Sequence, residues 1–556
     1  MGDLCSNRIH SSRRRGLGSF SRLALGKAFA LAPLIGILVT HQANAGVNVN
    51  NGNFYVAYTD LYIPTAGLTL DITRTYNSRS NYVQGYFGIG WSSEIEGYIR
   101  PDGNAFTYFE GGGGNVVRFE PKGKGQWHNG VFGPQVLTKE GSSFKIKTNA
   151  GKNIFLSQAT GRIIRIEDPN GNKIELDYPK GGTRPTAIKD NFGNQITVTW
   201  KDYGRFPRIT GLAATSTRAV YEYNGFGNLV KASGADGIPF IYTYDDEHNM
   251  TKISYSDGSE KEMGYNKTRD WITRFKERDK SEAKYEYLSD SIDPENKFGT
   301  VVEQKLAGSK EKMVSRFWYE FKKRADGTRY NARTVTYIQG QVTETLFTEC
   351  CGTPQLISQW ESAEPSSRDT KQSWTVASGE KRTTRFEYFP DGMLKKKTQP
   401  DGSFTELAYD QKSGKVSSVA QNERKIDYKY DPKGNLAWAF DNLDNRRLDL
   451  SYDLKGRITK IRDQFRIGAR SQWRDVFFRY DGAGNPVEIK EKSQAGTEGT
   501  IKFSYNPGGD VVGVTNGQGR TISSEAEVLS ARQVASTFQN LLEIIRPAGV
   551  QLTPEG

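Results

Sequence analysis

A seven-residue phrase that recurs about every 21 residues constrains this chain more than any other feature. Tyr223–Leu229 reads YNGFGNL and Tyr244–Met250 reads YDDEHNM. Later copies are Tyr409–Val416 (YDQKSGKV, one residue longer), Tyr430–Leu436 (YDPKGNL), Tyr452–Ile458 (YDLKGRI), Tyr480–Val487 (YDGAGNPV) and Tyr505–Val511 (YNPGGDV). The tyrosine steps are 21 residues from 223 to 244, then 21, 22, 28 and 25 along 409 to 505. Copies without Tyr stand at Asp168–Ile174 (DPNGNKI) and Asp190–Ile196 (DNFGNQI).

Each copy reads as the end of one strand, a turn and the start of the next. Before the turn, aromatics alternate with polar residues, as in Tyr221-Glu222-Tyr223, Tyr428-Lys429-Tyr430 and Phe503-Ser504-Tyr505. A two-residue period puts those rings on one face of a strand. Asp or Asn after Tyr accepts a bond from the backbone two residues on and starts a turn. Gly at the fourth or fifth position supplies a positive φ. The unit is therefore a hairpin. A lone hairpin is marginal in water, so stacked hairpins must share one long sheet, which curls to hide its edges. The expected fold is all-β: hairpins stacked into a barrel-like wall, with roughly 18 units between residues 141 and 522. The weaker repeats of 290–380 stay in the wall, because Arg316–Phe321 still alternates.

Residues 1–45 read as a signal peptide. Arg13, Arg14 and Arg15 precede an apolar run from Ala28 to Val39, and Ala43-Asn44-Ala45 is a small-x-small cleavage site. The expectation is export to the periplasm, the cell surface or the medium. The apolar run is too short for a stable membrane span, which needs about 20 residues. Cleavage leaves 70 basic and 63 acidic residues, a net charge of +7, without the concentrated patch that nucleic acid requires. Cys350 and Cys351 are adjacent, a spacing that strains a bridge, so burial and hydrogen bonds must hold the fold.

Taken together, the Tyr-Asp-x-x-Gly-Asn/Arg-Leu/Ile copies at Tyr430, Tyr452 and Tyr480 resemble the YD (Rhs) repeat family. Residues 47–78 and 86–92 resemble the entry domain that precedes such repeats in bacterial proteins. The matching positions include Gly52, Asn53, Pro64, Arg74, Tyr76, Asn77, Gly90 and Trp91. The resemblance implies a hollow β-shell used for secretion, surface display or encapsulation of a C-terminal toxin. No DPxGL-type stretch follows Tyr505, and the 34 residues after 522 are short for a toxin domain. The expectation is therefore the scaffold without its toxin. The segments are a signal peptide (1–45), an Rhs-type N-terminal β domain (46–140), the repeat shell (141–522) and a C-terminal helix with its tail (523–556). For that helix, Ser524 to Glu527 fits a capping box, and Val528, Ala531, Ala535, Phe538, Leu542 and Ile545 share one face. It is expected to dock on its own shell or on a partner.

Site chemistry is sparse. Only His128 and His248 lie beyond the leader, which disfavours His-based catalysis and metal binding. His248 takes the glycine slot of its turn, and His128 falls in a Gly-rich stretch expected to be an exposed loop. Gly111 to Gly114 has no following Lys-Ser/Thr pair and reads as a flexible loop, not a phosphate cradle. Asp441, Asn442, Asp444 and Asn445 offer oxygens that suit a turn better than calcium. No catalytic, cofactor or metal residues are assigned. The repeat-defining residues are structural: Tyr223, Gly227, Tyr244, Tyr409, Tyr430, Asp431, Gly434, Tyr452, Asp453, Gly456, Tyr480, Asp481, Gly484 and Tyr505. The function expected is an exported, non-catalytic scaffold at the cell surface, without cofactor. Its expected partner is a cell-surface glycan or an encapsulated polypeptide, not nucleic acid. The alternatives are a carbohydrate-active surface protein, or a toxin-delivery core whose toxin is absent or separate.

Overall fold

The structure, a computed structural model, describes residues 44–519 except 64–67, 82, 130–134, 149–151, 169–170, 216, 326, 350–351, 363–378, 391, 411–413, 433, 455–456, 483–484, 497 and 506–510. The helix expected over 523–556, the leader 1–43, Cys350, Cys351, Pro64, Gly456 and Gly484 lie outside the described residues.

Alternation builds the wall as expected. In Arg424–Tyr430, Ile426 and Tyr428 are buried while Lys425 and Lys429 are exposed. Tyr430 then pairs with Leu436 across the turn, and a bulge falls between Lys429 and Tyr430. The same bulge recurs at Tyr223, Tyr244, Tyr388, Tyr409, Tyr452, Tyr480 and Tyr505. Among the described residues, thirty-six strands pair antiparallel in chain order in one long sheet, from Tyr98–Asp102 to Val511–Asn516. Near the start the sheet curls onto itself, where Tyr98 bridges Arg162. There Ile99 N donates to Gly161 O (2.8 Å). The middle strands Lys297–Lys305, Lys312–Lys323, Arg329–Ile338 and Gln341–Phe347 belong to the same ladder.

Turns of the repeat are clamped by the residue after the tyrosine position, acidic in most copies and Asn224 in one. Asp431 Oδ1 accepts the Asn435 N–H (2.8 Å), and Oδ2 accepts Asn435 Nδ2 (3.1 Å). Asp168, Asp190 and Asp481 hold Asn172, Asn194 and Asn485 in the same way. Asp453 holds Arg457 instead. The two-residue bond read from the sequence also exists, from Glu247 N to Asp245 Oδ1 (3.0 Å). The four-residue clamp adds to it. Gly434 sits at φ 83°, and His248 takes the equivalent slot at φ 65°, confirming it as a turn residue.

A second regularity joins neighbouring hairpins. The repeat tyrosine donates its hydroxyl to the carbonyl of the aliphatic residue that opened the previous unit. Tyr223 bonds Ile209 O (2.6 Å), Tyr244 bonds Leu229 O (2.8 Å), Tyr265 bonds Met250 O (2.9 Å) and Tyr287 bonds Ile272 O (2.7 Å). Tyr409, Tyr430, Tyr452, Tyr480 and Tyr505 reach Leu394, Val416, Leu436, Ile458 and Pro486 at 2.8–2.9 Å. Trp200 Nε1 does the same to Pro185 O (2.8 Å). Burial pushes the Tyr430 and Tyr480 phenols up to about 12, so they stay protonated donors.

The ladder begins at Tyr98, inside the segment 46–140. What stands apart is a small sheet in the order Asn44–Asn48, Asn53–Ile63, Leu70–Asn77, Trp91–Ser93. It shares one hydrophobic core with the wall, spanning Phe54 to Phe275. It is a plug on the wall's apolar face.

Candidate functional site: the plugged inner face

The plug strands alternate like the wall. In Asn53–Ile63, Phe54, Val56, Tyr58 and Asp60 are buried. Phe54 meets Phe275 with ring centroids 5.5 Å apart, and Tyr58 meets Phe240 at 4.7 Å. At the centre lies a fully buried ion pair. Arg74 Nε donates to Asp60 Oδ2 at 2.6 Å, with side chains 0% and 2% exposed. Tyr221 of the wall donates to the same Asp60 oxygen (2.8 Å), and Arg74 Nη2 donates to Tyr242 Oη (3.0 Å). The guanidinium carbon lies 4.5 Å from the Trp91 ring centroid and 4.8 Å from that of Tyr58. Burial works against this charge, yet Asp60 and the surrounding phenols outweigh it and hold Arg74 above its ordinary value. Trp91 Nε1 donates to Tyr244 Oη (2.9 Å), tying the plug to a repeat tyrosine.

The N-terminal motif residues gather here. Tyr76 is fully buried against Trp91 (5.5 Å), and its hydroxyl donates to His248 O (3.2 Å). Asn53 Nδ2 donates to Asn77 Oδ1 (3.0 Å), and Asn77 N donates to Gly90 O (2.9 Å). Gly52 has φ 67°, and a Cβ there would come 2.6 Å from Trp271 Cβ, so only glycine seats this loop on the wall. Its carbonyl accepts the Ile272 N–H (3.0 Å). Of the repeat residues, Tyr223 and Tyr244 face the plug. Tyr409, Tyr430, Tyr452, Tyr480 and Tyr505 stand in the later part of the wall.

Two functional residues carried no signal in the sequence. Arg208, 1% exposed, donates to Gln84 Oε1 (2.5 Å), Gly85 O (3.1 Å) and Gly227 O (3.2 Å), joining the plug to a repeat turn. Glu96 accepts from Tyr86 N (2.6 Å) and Ser93 N (3.0 Å). Burial pushes its carboxyl up to about 8, against the pull of those N–H groups and of Arg162 and Arg208. Two loop readings need correction. His128 lies half-buried in the strand Gln126–Asn129, not in an exposed loop. Gly111 to Gly114 packs on the plug, where Gly112 N donates to Ser92 Oγ (3.1 Å), because glycine permits that close approach. Asp441 places Oδ2 2.7 Å from Arg424 Nε, so its charge is spent on an ion pair. Among the described residues, no group of three or more His, Cys, Asp or Glu is set to hold a metal ion. Among them, no helix is long and apolar enough to cross a membrane.

Residues 223–260 match the family described as RHS Repeat, and residues 44–119 match a domain of unknown function (DUF6531). With the repeated hairpin geometry, these matches make the chain a YD/Rhs-repeat protein. Such proteins are generally extracellular or surface-associated. The chain is similar to the tRNA nuclease WapA of Bacillus subtilis (strain 168), at 25% identity over 266 residues; the match covers 40% of this chain and 11% of WapA. It therefore spans about a ninth of the curated relatives it matches. Among solved structures, it is similar to the TcdB2-TccC3-Cdc42 crystal structure, with 14% identity, a TM-score of 0.42, and coverage of 84% of this chain and 24% of that one. It is also similar to a Photorhabdus luminescens Tc holotoxin pore, with 12% identity, a TM-score of 0.34, and coverage of 85% and 29%.

Proposed function

We propose that this chain is an exported, non-catalytic scaffold at the cell surface whose plugged wall binds or encapsulates a ligand or polypeptide. A gradient of burial along one repeat position carries this reading. Where the plug lies against the wall, the residues that open each unit are sealed: Leu229, Met250 and Ile272 are all 0% exposed. Beyond the plug, Leu394, Leu436 and Ile458 hold the same position and are only half-buried, while Val416 among them is 2% exposed. Half-buried rings such as Phe386 and Phe503 share that side. Apolar surface of this kind gains about 25 cal/mol per Å² when covered. It also offers stacking faces to sugars or apolar chain segments. Export follows from the leader ending near Ala45.

A photocrosslinking residue placed at Phe503 in the exporting cell tests the reading. Capture from Phe503 but not from exposed Lys429 supports it; capture from neither removes it. Hydrolysis of a glycan panel, lost on one Asp or Glu substitution, would replace the scaffold with an enzyme. A second reading, the toxin-delivery core whose toxin is separate, is favoured by the likeness to WapA, named as a tRNA nuclease. A captured polypeptide that is toxic when expressed alone would select it.

A further inference from the structure

The residue that opens each repeat has two backbone groups with different destinations. Its carbonyl takes the next tyrosine hydroxyl. At four of the units that face the plug, its N–H goes to the plug. Ile163 N donates to Gly97 O (3.4 Å), Ile209 N to Tyr86 O (2.9 Å) and Ile272 N to Gly52 O (3.0 Å). Met250 N donates to Tyr76 Oη (2.8 Å). All four sit directly after a bulge, paired with Leu156, Trp200, Tyr265 and Tyr244. The ladder leaves this donor free, and two residues demonstrate it independently. Pro354 and Pro486 occupy the same position, opposite Phe347 and Tyr480, with the same bulge. Their carbonyls accept Tyr388 and Tyr505 at 2.6 and 2.8 Å, though proline has no N–H to give.

Between those two prolines the position is held by Leu394, Val416, Leu436 and Ile458, in the same bulged register opposite Tyr388, Tyr409, Tyr430 and Tyr452. Val416 is 2% exposed and the other three are half-buried. Their row continues the row that grips the plug. We propose that the backbone N–H groups of Leu394, Val416, Leu436 and Ile458 form a docking rail for an extended polypeptide, which supplies carbonyl acceptors as the plug does. The proposal rests on the scaffold reading and names its partner chemistry. Three of the four plug acceptors are main-chain carbonyls, which an extended peptide repeats at every residue and a glycan lacks unless it is acetamido-substituted. The flanking half-buried rings suit the alternate side chains of such a segment.

The test uses the full chain and a fluorescent, permanently unfolded polypeptide, reduced and carboxymethylated lactalbumin. The paired substitutions Leu436→Pro and Ile458→Pro delete two rail donors at a position where the wall already accepts proline. The wild type is expected to retain the probe through gel filtration. The proline pair is expected to bind it about thirty-fold more weakly, from two bonds of roughly 1 kcal/mol each. Its circular dichroism and melting temperature should match the wild type, while Leu436→Ala with Ile458→Ala, which keeps both N–H groups, should bind more tightly than the proline pair. Equal probe affinity in wild type and proline pair, no binding by the wild type, or displacement by a neutral oligosaccharide would overturn the rail. Capture from Phe503 would survive each of those outcomes, which separates a failed rail from a failed scaffold.

Discussion

Replacing a repeat tyrosine by phenylalanine removes one oxygen and keeps the ring, so it isolates the hydroxyl ladder from packing. Tyr430→Phe deletes one bond, Oη to Val416 O at 2.8 Å. The expected loss is about 1 kcal/mol, the usual net value of a hydrogen bond. Tyr244→Phe deletes the equivalent bond to Leu229 O and also strands Trp91 Nε1, whose side chain is 0% exposed. A buried donor left without an acceptor costs roughly a further 1–3 kcal/mol. The second variant should therefore lose about 2–4 kcal/mol, clearly more than the first. Urea unfolding followed by circular dichroism at constant pH reads both midpoints, and an unchanged m-value shows that the folded states are comparable. Tryptophan emission should shift in Tyr244→Phe alone. If the two variants lose the same amount, the plug is not held through Trp91. If neither loses anything, the tyrosine hydroxyls do not join the hairpins.

Three further outcomes follow from the same geometry. Asp60→Asn leaves Arg74 buried beside a neutral amide and should cost roughly 3–5 kcal/mol, whereas Asp60→Leu with Arg74→Met should recover much of that loss; denaturation midpoints decide between pair and packing. Glu96 titrates about 8 when buried, against 4.5 as its ordinary value, so the folded protein binds its proton more tightly than the unfolded chain does. Its contribution is complete below pH 4.5 and is lost as pH rises through 8, with a slope of about 1.4 kcal/mol per pH unit in that window; urea midpoints at pH 5, 6.5 and 8 should fall in that order, and Glu96→Gln should flatten the trend. Asp431→Ala with Asn435→Ala forms a double-mutant cycle across the turn clamp, expected to show about 1–2 kcal/mol of coupling; additive losses would mean that the clamp contributes nothing as a unit.

The hairpins and their stacking were legible because both are local. Alternation, turn residues and period all act within a few positions of one another. Contacts between non-neighbouring segments were not legible. Arg74 and Asp60 both lie in the N-terminal string, and nothing in their 14-residue separation announces a buried pair inside a cage of wall tyrosines. Arg208 and Glu96 were invisible for the same reason. The hydroxyl ladder had a signal that went unused. In each unit the first aromatic position varies, holding Phe386, Leu407, Leu450, Phe478 and Phe503, while the second keeps Tyr388, Tyr409, Tyr452, Tyr480 and Tyr505. Packing alone would let phenylalanine into both. A position that keeps tyrosine in these five units, although Phe347 fills its equivalent opposite Pro354, is using the oxygen.

The same logic extends to the residue that opens each unit and explains why wall and contents can be tuned separately. Its carbonyl is committed to the neighbouring hairpin, so every residue type satisfies the wall, proline included. Its N–H goes to the plug at Ile163, Ile209, Met250 and Ile272. Proline at this position leaves the wall intact, as Pro354 and Pro486 show, and on the proposed rail it would remove the donor. Methionine or isoleucine supplies the grip, as Met250 and Ile272 show against the plug. If the proposed rail exists, the choice between proline and an aliphatic residue at this position sets where it grips without altering the wall.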